Sequence, residues 1–239
     1  MDTTPGDKNT PKQSSTIMIK LGSITLAGRA AAGFLIAILA LIVALIAYFK
    51  PWINPSPLWL SGALWILFIV YWNAAAKNAA PVKSSESQAS RNFHQNLLSA
   101  TYLLLFIPIP GLRLRFLPTA TWIILTGIAL HIGFLLLAVW ARRHLGRNWS
   151  GAVTAKVDHQ LIRSGPYRIV RHPIYSAMFG MVIGTAVVSG ELHALIAVAV
   201  IVFAYRRKIL LEEQNLREIF GDEYDAYRRD SWALIPLLF

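Results

Sequence analysis

The chain has 239 residues, of which 55% are hydrophobic and only 15% are charged, a composition too apolar for an ordinary soluble domain. It contains no cysteine, which excludes disulfides, thiolate nucleophiles and cysteine-ligated zinc or iron–sulfur clusters. The net charge is +11, but the cationic residues stand between apolar runs. This pattern indicates contact with lipid headgroups rather than with nucleic acid.

Apolar runs recur along the chain, and a helix needs about 20 such residues to cross a bilayer. Residues 1–22 precede all of these runs and are rich in Thr, Ser, Pro and Lys, which predicts a disordered tail. The third run is short and ends at a proline, so a full span extended by Phe93 and a re-entrant segment both remain open. The six predicted spans cover residues 31–49, 58–76, 97–110, 119–140, 173–189 and 192–205.

The cationic residues predict how these spans are oriented, because Lys and Arg concentrate in cytoplasmic loops. Six alternating spans place all but three of the 23 Lys and Arg on one side of the membrane, the exceptions being Lys50, Arg113 and Arg115. The sequence therefore predicts an integral membrane protein, in a plasma or internal membrane, with both termini in the cytoplasm.

Polar residues concentrate in two predicted cytoplasmic segments, 142–175 and 205–230, which flank the last hairpin. In the first, Pro173 opens the fifth span, and the free N–H groups of that helix end would lie beside Arg171 and His172. An anionic group could dock there, although on this stretch alone the simpler interpretation is a helix end anchored in the headgroup layer. The histidines are scattered without metal-binding spacing, so no metal site is predicted.

The second segment has the period of an amphipathic helix over residues 206–220, with a break at Gly221. Steps of three and four residues place Glu213 on its apolar stripe. Because a buried, unpaired carboxylate is costly, a cation or hydrogen-bond donors should face it. Glu212 lies nearer the solvent and could pair with Lys208, one turn earlier.

Two motifs in these segments resemble the isoprenylcysteine carboxyl methyltransferase family, whose membrane relatives include phospholipid N-methyltransferases. The first is HQLIRSGPYRIVRHPIY, from His159 to Tyr175, and the second is EEQNLREIFGDEYDAYRR, from Glu212 to Arg229. Their order and the hairpin between them also fit. The resemblance is confined to the C-terminal part of the chain, and the first four spans match only as generic membrane helices.

The resemblance implies an all-α, polytopic membrane helix bundle with an amphipathic C-terminal helix in the cytoplasm. Residues 23–141 would supply the first four spans, and residues 142–239, including the hairpin 173–205, would bind S-adenosylmethionine. It nominates Arg171 and Glu213 as catalytic. The residues that it assigns to the cofactor pocket are His159, Leu161, Gly165, Tyr167, His172, Pro173, Tyr175, Glu212 and Glu213.

The identity of the methyl acceptor stays open at this point. A carboxylate, as in the namesake enzymes, is already nucleophilic at neutral pH and needs only to be oriented, by Arg171. An amine must lose a proton, and Glu213 would be the candidate base. In either case the membrane setting implies a lipophilic or lipidated substrate that enters between helices, in contact with membrane lipids. The oligomeric state is not indicated.

Two other functions compete with methyl transfer. Membrane sterol reductases, which use NADPH, share a similar HPxY turn and a tail ending in proline, but the paired Glu212 and Glu213 and the absence of cysteine argue against them. A non-enzymatic membrane scaffold or small transporter would leave the buried Glu213 and the dense polar motifs unexplained.

Overall fold

A computed structural model describes residues 18–21, 24–27, 56–76, 86–149 and 161–236 of the chain. The first predicted span, residues 31–49, lies outside the described residues. So do most of the expected disordered tail and the C-terminal end.

The described residues form one short β-ribbon and six α-helices. The ribbon pairs β1 (Met18–Leu21) antiparallel with β2 (Ile24–Ala27); it was not predicted, and β1 falls at the end of the segment expected to be a disordered tail. Two 3₁₀ turns, Gly146–Asn148 and Gly165–Arg168, interrupt the connection between the third and fourth helices. The helices are α1 (Leu58–Ala76), α2 (Gln88–Phe106), α3 (Thr121–Leu145), α4 (Pro173–Ser189), α5 (Leu192–Phe220) and α6 (Asp222–Arg229).

Four predicted spans can be compared with these helices in detail. The bounds of α1 and α4 agree with the predicted spans residue for residue. Helix α2 begins earlier than predicted, because the Ser87 side chain caps it by accepting from the Ser90 N–H. The fourth predicted span continues to Leu145.

The sixth predicted span and the amphipathic segment form one continuous helix, α5, of 29 residues. It is joined to α4 by the predicted tight turn, in which Gly190 adopts the left-handed conformation that favours glycine, with φ of 63°. Gly221 also has a positive φ, 51°, and separates α5 from α6 at the predicted break. The polar segment 206–220 therefore continues the second helix of the apolar hairpin without a break.

Helices α3 and α4 pack closely because glycines remove side chains from their contact. A Cβ atom on Gly184 would lie 2.7 Å from the Gly127 carbonyl oxygen and 2.8 Å from the His131 backbone nitrogen. One on Gly180 would lie 2.2 Å from the Phe134 ring. Such small-residue seams allow membrane helices to gain van der Waals contact at short range.

Polar side chains inside the bundle contact one another across three helices. The Trp65 indole N–H donates to Thr185 Oγ1 at 3.0 Å, and His131 Nδ1 lies 3.2 Å from the same oxygen. All three side chains are buried. Since an unpaired polar group is costly where water is excluded, this contact fixes how α1, α3 and α4 are aligned.

The outer surface of the bundle is apolar where a membrane would contact it. Helices α1 and α3 are long and apolar enough to cross a bilayer, and they expose large apolar side chains, including Leu60, Leu67, Trp122, Leu125 and Leu136. Helix α4 is apolar but shorter, and most of its residues are buried between its neighbours.

The glycine seam gives a test of the packing. Gly184→Ala should destabilise the protein by about 1–3 kcal/mol, because the new methyl group meets backbone atoms that cannot move without separating α3 from α4. Gly133→Ala on α3 is the matched control, since a Cβ there meets no atom within 4 Å among the described residues; helix propensity alone should make it neutral or slightly stabilising. Thermal unfolding in detergent, followed by circular dichroism, measures both. Equal effects would show that the seam is not closely packed.

Candidate active site

Backbone pairing brings the two polar motifs together at one end of the α4–α5 hairpin. The Arg171 N–H donates to the Trp232 carbonyl at 2.8 Å, and the His172 N–H donates to the Ala233 carbonyl at 3.1 Å. The Trp232 N–H returns a bond to the Ile169 carbonyl at 3.1 Å. The segment after α6 therefore lies beside the turn that opens α4, as a short parallel bridge.

Glu213 meets the cations that its position on the apolar stripe required. Arg171 Nε lies 2.8 Å from Glu213 Oε1, and Arg228 Nε lies 3.2 Å from Oε2. The prediction that a cation faces Glu213 is confirmed. Burial alone would raise the pKa of this carboxyl, but the neighbouring His172 and Arg171 hold it below its ordinary value.

Arg171 also holds the segment after α6 in place. Its Nη1 donates to the Arg228 carbonyl at 3.2 Å and to the Ser231 carbonyl. The side chain is 9% exposed, so its Nε and Nη1 are committed to contacts inside the protein. One guanidinium thereby links the start of α4, the middle of α5 and the end of α6.

His172 and Tyr175 face the other carboxylate of the pair. The Tyr175 hydroxyl donates to Glu212 Oε1 at 2.5 Å, and His172 Nδ1 lies 3.5 Å from Glu212 Oε2. His172 Nε2 lies 3.4 Å from Glu213 Oε1. Burial alone would lower the pKa of His172, but the two carboxylates raise it above its ordinary value, which favours the imidazolium.

The predicted pair between Glu212 and Lys208 is not formed. Lys208 Nζ instead lies 2.6 Å from Glu86 Oε2, just before α2, and both side chains are buried. The prediction considered only neighbours on the same helix, whereas α2 packs against α5 and supplies the closer carboxylate.

Three further residues nominated by the sequence build the wall behind the site. Gly165 adopts φ of 59°, and a Cβ there would lie 2.7 Å from the His144 ring. The Tyr167 carbonyl accepts a 2.5 Å bond from the Tyr227 hydroxyl, and Pro173 is the buried first residue of α4. These contacts fix the 3₁₀ turn against α3 and α6.

A cavity of about 430 Å³ lies between the two motifs and the ends of α1, α2 and α3. Of the nominated residues, Gly165, Pro173 and Glu213 lie outside its lining, and His159 lies outside the described residues. Glu213 thus supports the lining residues from behind. The nominated residues that do line the cavity are Leu161, Tyr167, Arg171, His172, Tyr175 and Glu212.

Sequence reasoning missed the lining residues of the first three helices. On α5, Lys208 and Asn215 share the Glu212 face at helical spacing and could have been found by that period. Nothing local marks Trp72 or His94, because their place at the cavity depends on how α1 and α2 pack. The lining residues that were not nominated include Trp72, Asn73, His94, Gln95, Asn148, Trp149, Tyr205, Lys208, Asn215, Tyr224 and Tyr227.

Comparisons with known proteins agree with this geometry. The family model for phospholipid methyltransferases matches residues 122–223. Protein-S-isoprenylcysteine O-methyltransferase of Schizosaccharomyces pombe is 32% identical over 114 residues, which cover 45% of this chain and 48% of that protein, about half its length. Protein-S-isoprenylcysteine O-methyltransferase B of Arabidopsis thaliana is 28% identical over 169 residues, covering 69% of this chain and 83% of the relative.

A solved structure shares the fold. The eukaryotic intramembrane Ras methyltransferase, an isoprenylcysteine carboxyl methyltransferase, aligns with a TM-score of 0.54 over 88% of this chain and 87% of its own, at 17% identity. This likeness shows a shared helical fold, in which α1 and α3 of this chain are apolar and long enough to cross a membrane. The family model, the sequence relatives and the shared fold all point the same way: the chain is similar to membrane methyltransferases of the isoprenylcysteine carboxyl methyltransferase and phospholipid methyltransferase type.

Proposed function

We propose that this protein is a membrane-embedded methyltransferase that transfers a methyl group from S-adenosylmethionine to a lipophilic carboxylate of the isoprenylcysteine type. The observation that carries the proposal is the cavity, because it joins the two polar motifs on one side to the apolar helix α1 and to α2 on the other. We further propose that this end of the bundle and both termini face the cytoplasm, where the cofactor is available.

The residues of the cavity fit the proposed cofactor. Its volume of about 430 Å³ lies in the range of about 300–1,000 Å³ that is typical of small-molecule sites. Glu212 supplies a carboxylate for a sulfonium cation, and the stacked rings of His172 and Tyr175, with centroids 5.6 Å apart, supply aromatic faces. When bound, the cofactor supplies an electrophilic methyl group on a positively charged sulfur.

The chain's own residues would position the reactants and exclude water. Tyr175 fixes the Glu212 carboxylate through a hydrogen bond. Arg171 lines the cavity, and its Nε is held by Glu213. Trp72, Trp149 and Leu161 line the same cavity and reduce its water content. Rate enhancement would then come from alignment and desolvation of the acceptor oxygen.

The geometry favours a carboxylate acceptor over an amine. An amine needs a base, and the candidate, Glu213, is paired with two arginines, has a lowered pKa and does not line the cavity. Amine methylation of a phospholipid stays the second candidate, because the matching family model carries that description. Labelled methyl donor supplied with membrane lipids and with a prenylated cysteine decides between them by which product carries the label.

The first prediction concerns Arg171. Alanine would break the closest of the ion pairs of the buried Glu213 carboxylate and could cost up to about 3–5 kcal/mol, so Arg171→Lys, which keeps the charge but loses the planar fork, is the sharper change. We expect methyl transfer to fall about 100-fold through misplacement of the site. Arg228→Lys is the matched control, since Arg228 also pairs with Glu213 but does not line the cavity, and it should keep most of the activity. Equal losses, with both proteins folded, would contradict a direct role of Arg171.

The second prediction concerns the charge of Glu212. Glu212→Gln should weaken binding of S-adenosylmethionine about tenfold, because the sulfonium loses its carboxylate. Binding of S-adenosylhomocysteine, whose sulfur is neutral, should change little. Isothermal titration calorimetry of both ligands measures the difference, with Glu218→Gln on the exposed face of the same helix as control. Parallel weakening of the two ligands would show that Glu212 does not face the sulfur.

The third prediction concerns pH. The pKa of His172 is raised above its ordinary 6.5, so the stability that its pairing contributes is complete below pH 6.5 and is lost as pH rises through the raised value. The pKa of Glu213 is lowered from 4.5, so its contribution is complete above pH 4.5 and is lost as pH falls. We expect the melting temperature of the protein to decline as pH rises above the ordinary pKa of His172. In His172→Gln this alkaline decline should be smaller, whereas the decline at acid pH should remain. If the variant shows the same alkaline decline as wild-type protein, another group is responsible for it.

A further inference from the structure

One side of the cavity carries buried polar groups that the proposed cofactor contacts do not use. Lys208 of α5 and His94 of α2 both line the cavity, and they are only 2% and 6% exposed. Neither was nominated from the sequence. Tyr205 of α5 also lines the cavity, and its ring centroid is 5.9 Å from that of His94.

The hydrogen-bonding capacity of Lys208 is only partly used. Its ammonium group has three donors, and among the described residues it hydrogen-bonds Glu86 Oε2 alone, at 2.6 Å. A buried ammonium with unfilled donors beside a cavity is costly unless the contents of the cavity accept from it. An acceptor group bound in the cavity would fill those donors.

The imidazole of His94 also has a hydrogen-bonding atom that is not used. Among the described residues, none hydrogen-bonds its Nδ1, which is buried. A neutral imidazole carries one N–H donor and one acceptor, so an acidic group beside this ring can be hydrogen-bonded by it. Lys208 and His94 thus bring donors from two different helices to the lining of one cavity.

The charge around this space favours an anion. Glu86 serves two cations, since Arg207 Nη1 also lies 4.0 Å from its Oε1 while Lys208 lies 2.6 Å from Oε2. Glu212, one helical turn and about 6 Å along α5 from Lys208, is already engaged by Tyr175 and His172. A carboxylate placed here would meet net positive charge, whereas an amine would be repelled.

We propose that His94 and Lys208 form a carboxylate-binding subsite on the α2 side of the cavity, one helical turn from Glu212. This inference rests on the proposed function and deepens it, because it assigns the residues that select an acidic ligand. Two ligand carboxylates share the required chemistry: that of the acceptor and that of the amino-acid end of the cofactor. The apolar neighbours Trp72 and Leu98 favour the acceptor.

The test uses two variants that spare the fold. His94→Phe removes both ring nitrogens but keeps a planar ring of similar size, and since none of the described residues hydrogen-bonds Nδ1 the fold should be spared. The double variant Glu86→Gln/Lys208→Met removes both charges of the buried pair together, which avoids an uncompensated carboxylate. Asn96→Ala on α2, which does not line the cavity, is the control.

Two ligand arms distinguish the sources of the carboxylate. In the first, quenching of the cavity tryptophans compares an S-prenylated cysteine as the free acid with its methyl ester. We expect wild-type protein to prefer the acid, and each variant to lose about tenfold in affinity for the acid but not for the ester. In the second, calorimetry measures S-adenosylhomocysteine; a tenfold loss there instead would assign the subsite to the cofactor.

Failure of the inference is separable from failure of the proposed function. If both variants bind the acid, the ester and S-adenosylhomocysteine as wild-type protein does, the subsite does not exist, even though wild-type protein methylates the acid. If wild-type protein binds the acid in preference to the ester but transfers no methyl group to it, the subsite stands and the proposed reaction falls.

Discussion

The structure depends on one buried carboxylate, that of Glu213, whose negative charge must be neutralised because burial separates it from water. Glu213 lies on the apolar face of α5, and its position there is tolerable only because Arg171, Arg228 and His172 surround it. Those three residues come from two other parts of the chain, the start of α4 and the end of α6. Satisfying one buried charge therefore forces the two polar motifs into contact.

The contact between the two motifs also determines the arrangement of the residues around it. Because Arg171 also binds carbonyls at the end of α6, and the chain after α6 pairs with the backbone before α4, the polar end of the bundle is closed as a unit. Adjacent Glu212 is turned toward the cavity, where Tyr175 fixes it. The neighbouring glutamates thus have different environments: one supports the architecture, and the other faces the space that we assign to the cofactor.

Much of the fold could be predicted from local sequence, because hydrophobic runs, Pro173 and Gly190 define helix limits without reference to the rest of the chain. The requirement for a cation beside Glu213 followed from the helical period in the same way. The partner of Lys208 could not be predicted, since Glu86 approaches it from another helix. Nor could the place of Trp72 and His94 at the cavity, which depends on interhelical packing, including the glycine seam between α3 and α4. The β-ribbon carried no signal that distinguished it from a disordered tail.

The central claim is that one cavity, shared by the two motifs, takes a sulfonium cofactor. An experimental structure of the protein in lipid nanodiscs, saturated with S-adenosylhomocysteine, tests it most directly. The account predicts ligand density between Tyr175, Glu212 and Leu161, with residues of both motifs in contact with the ligand. Density at another place, or an empty cavity at saturating ligand in a well-ordered bundle, would contradict it.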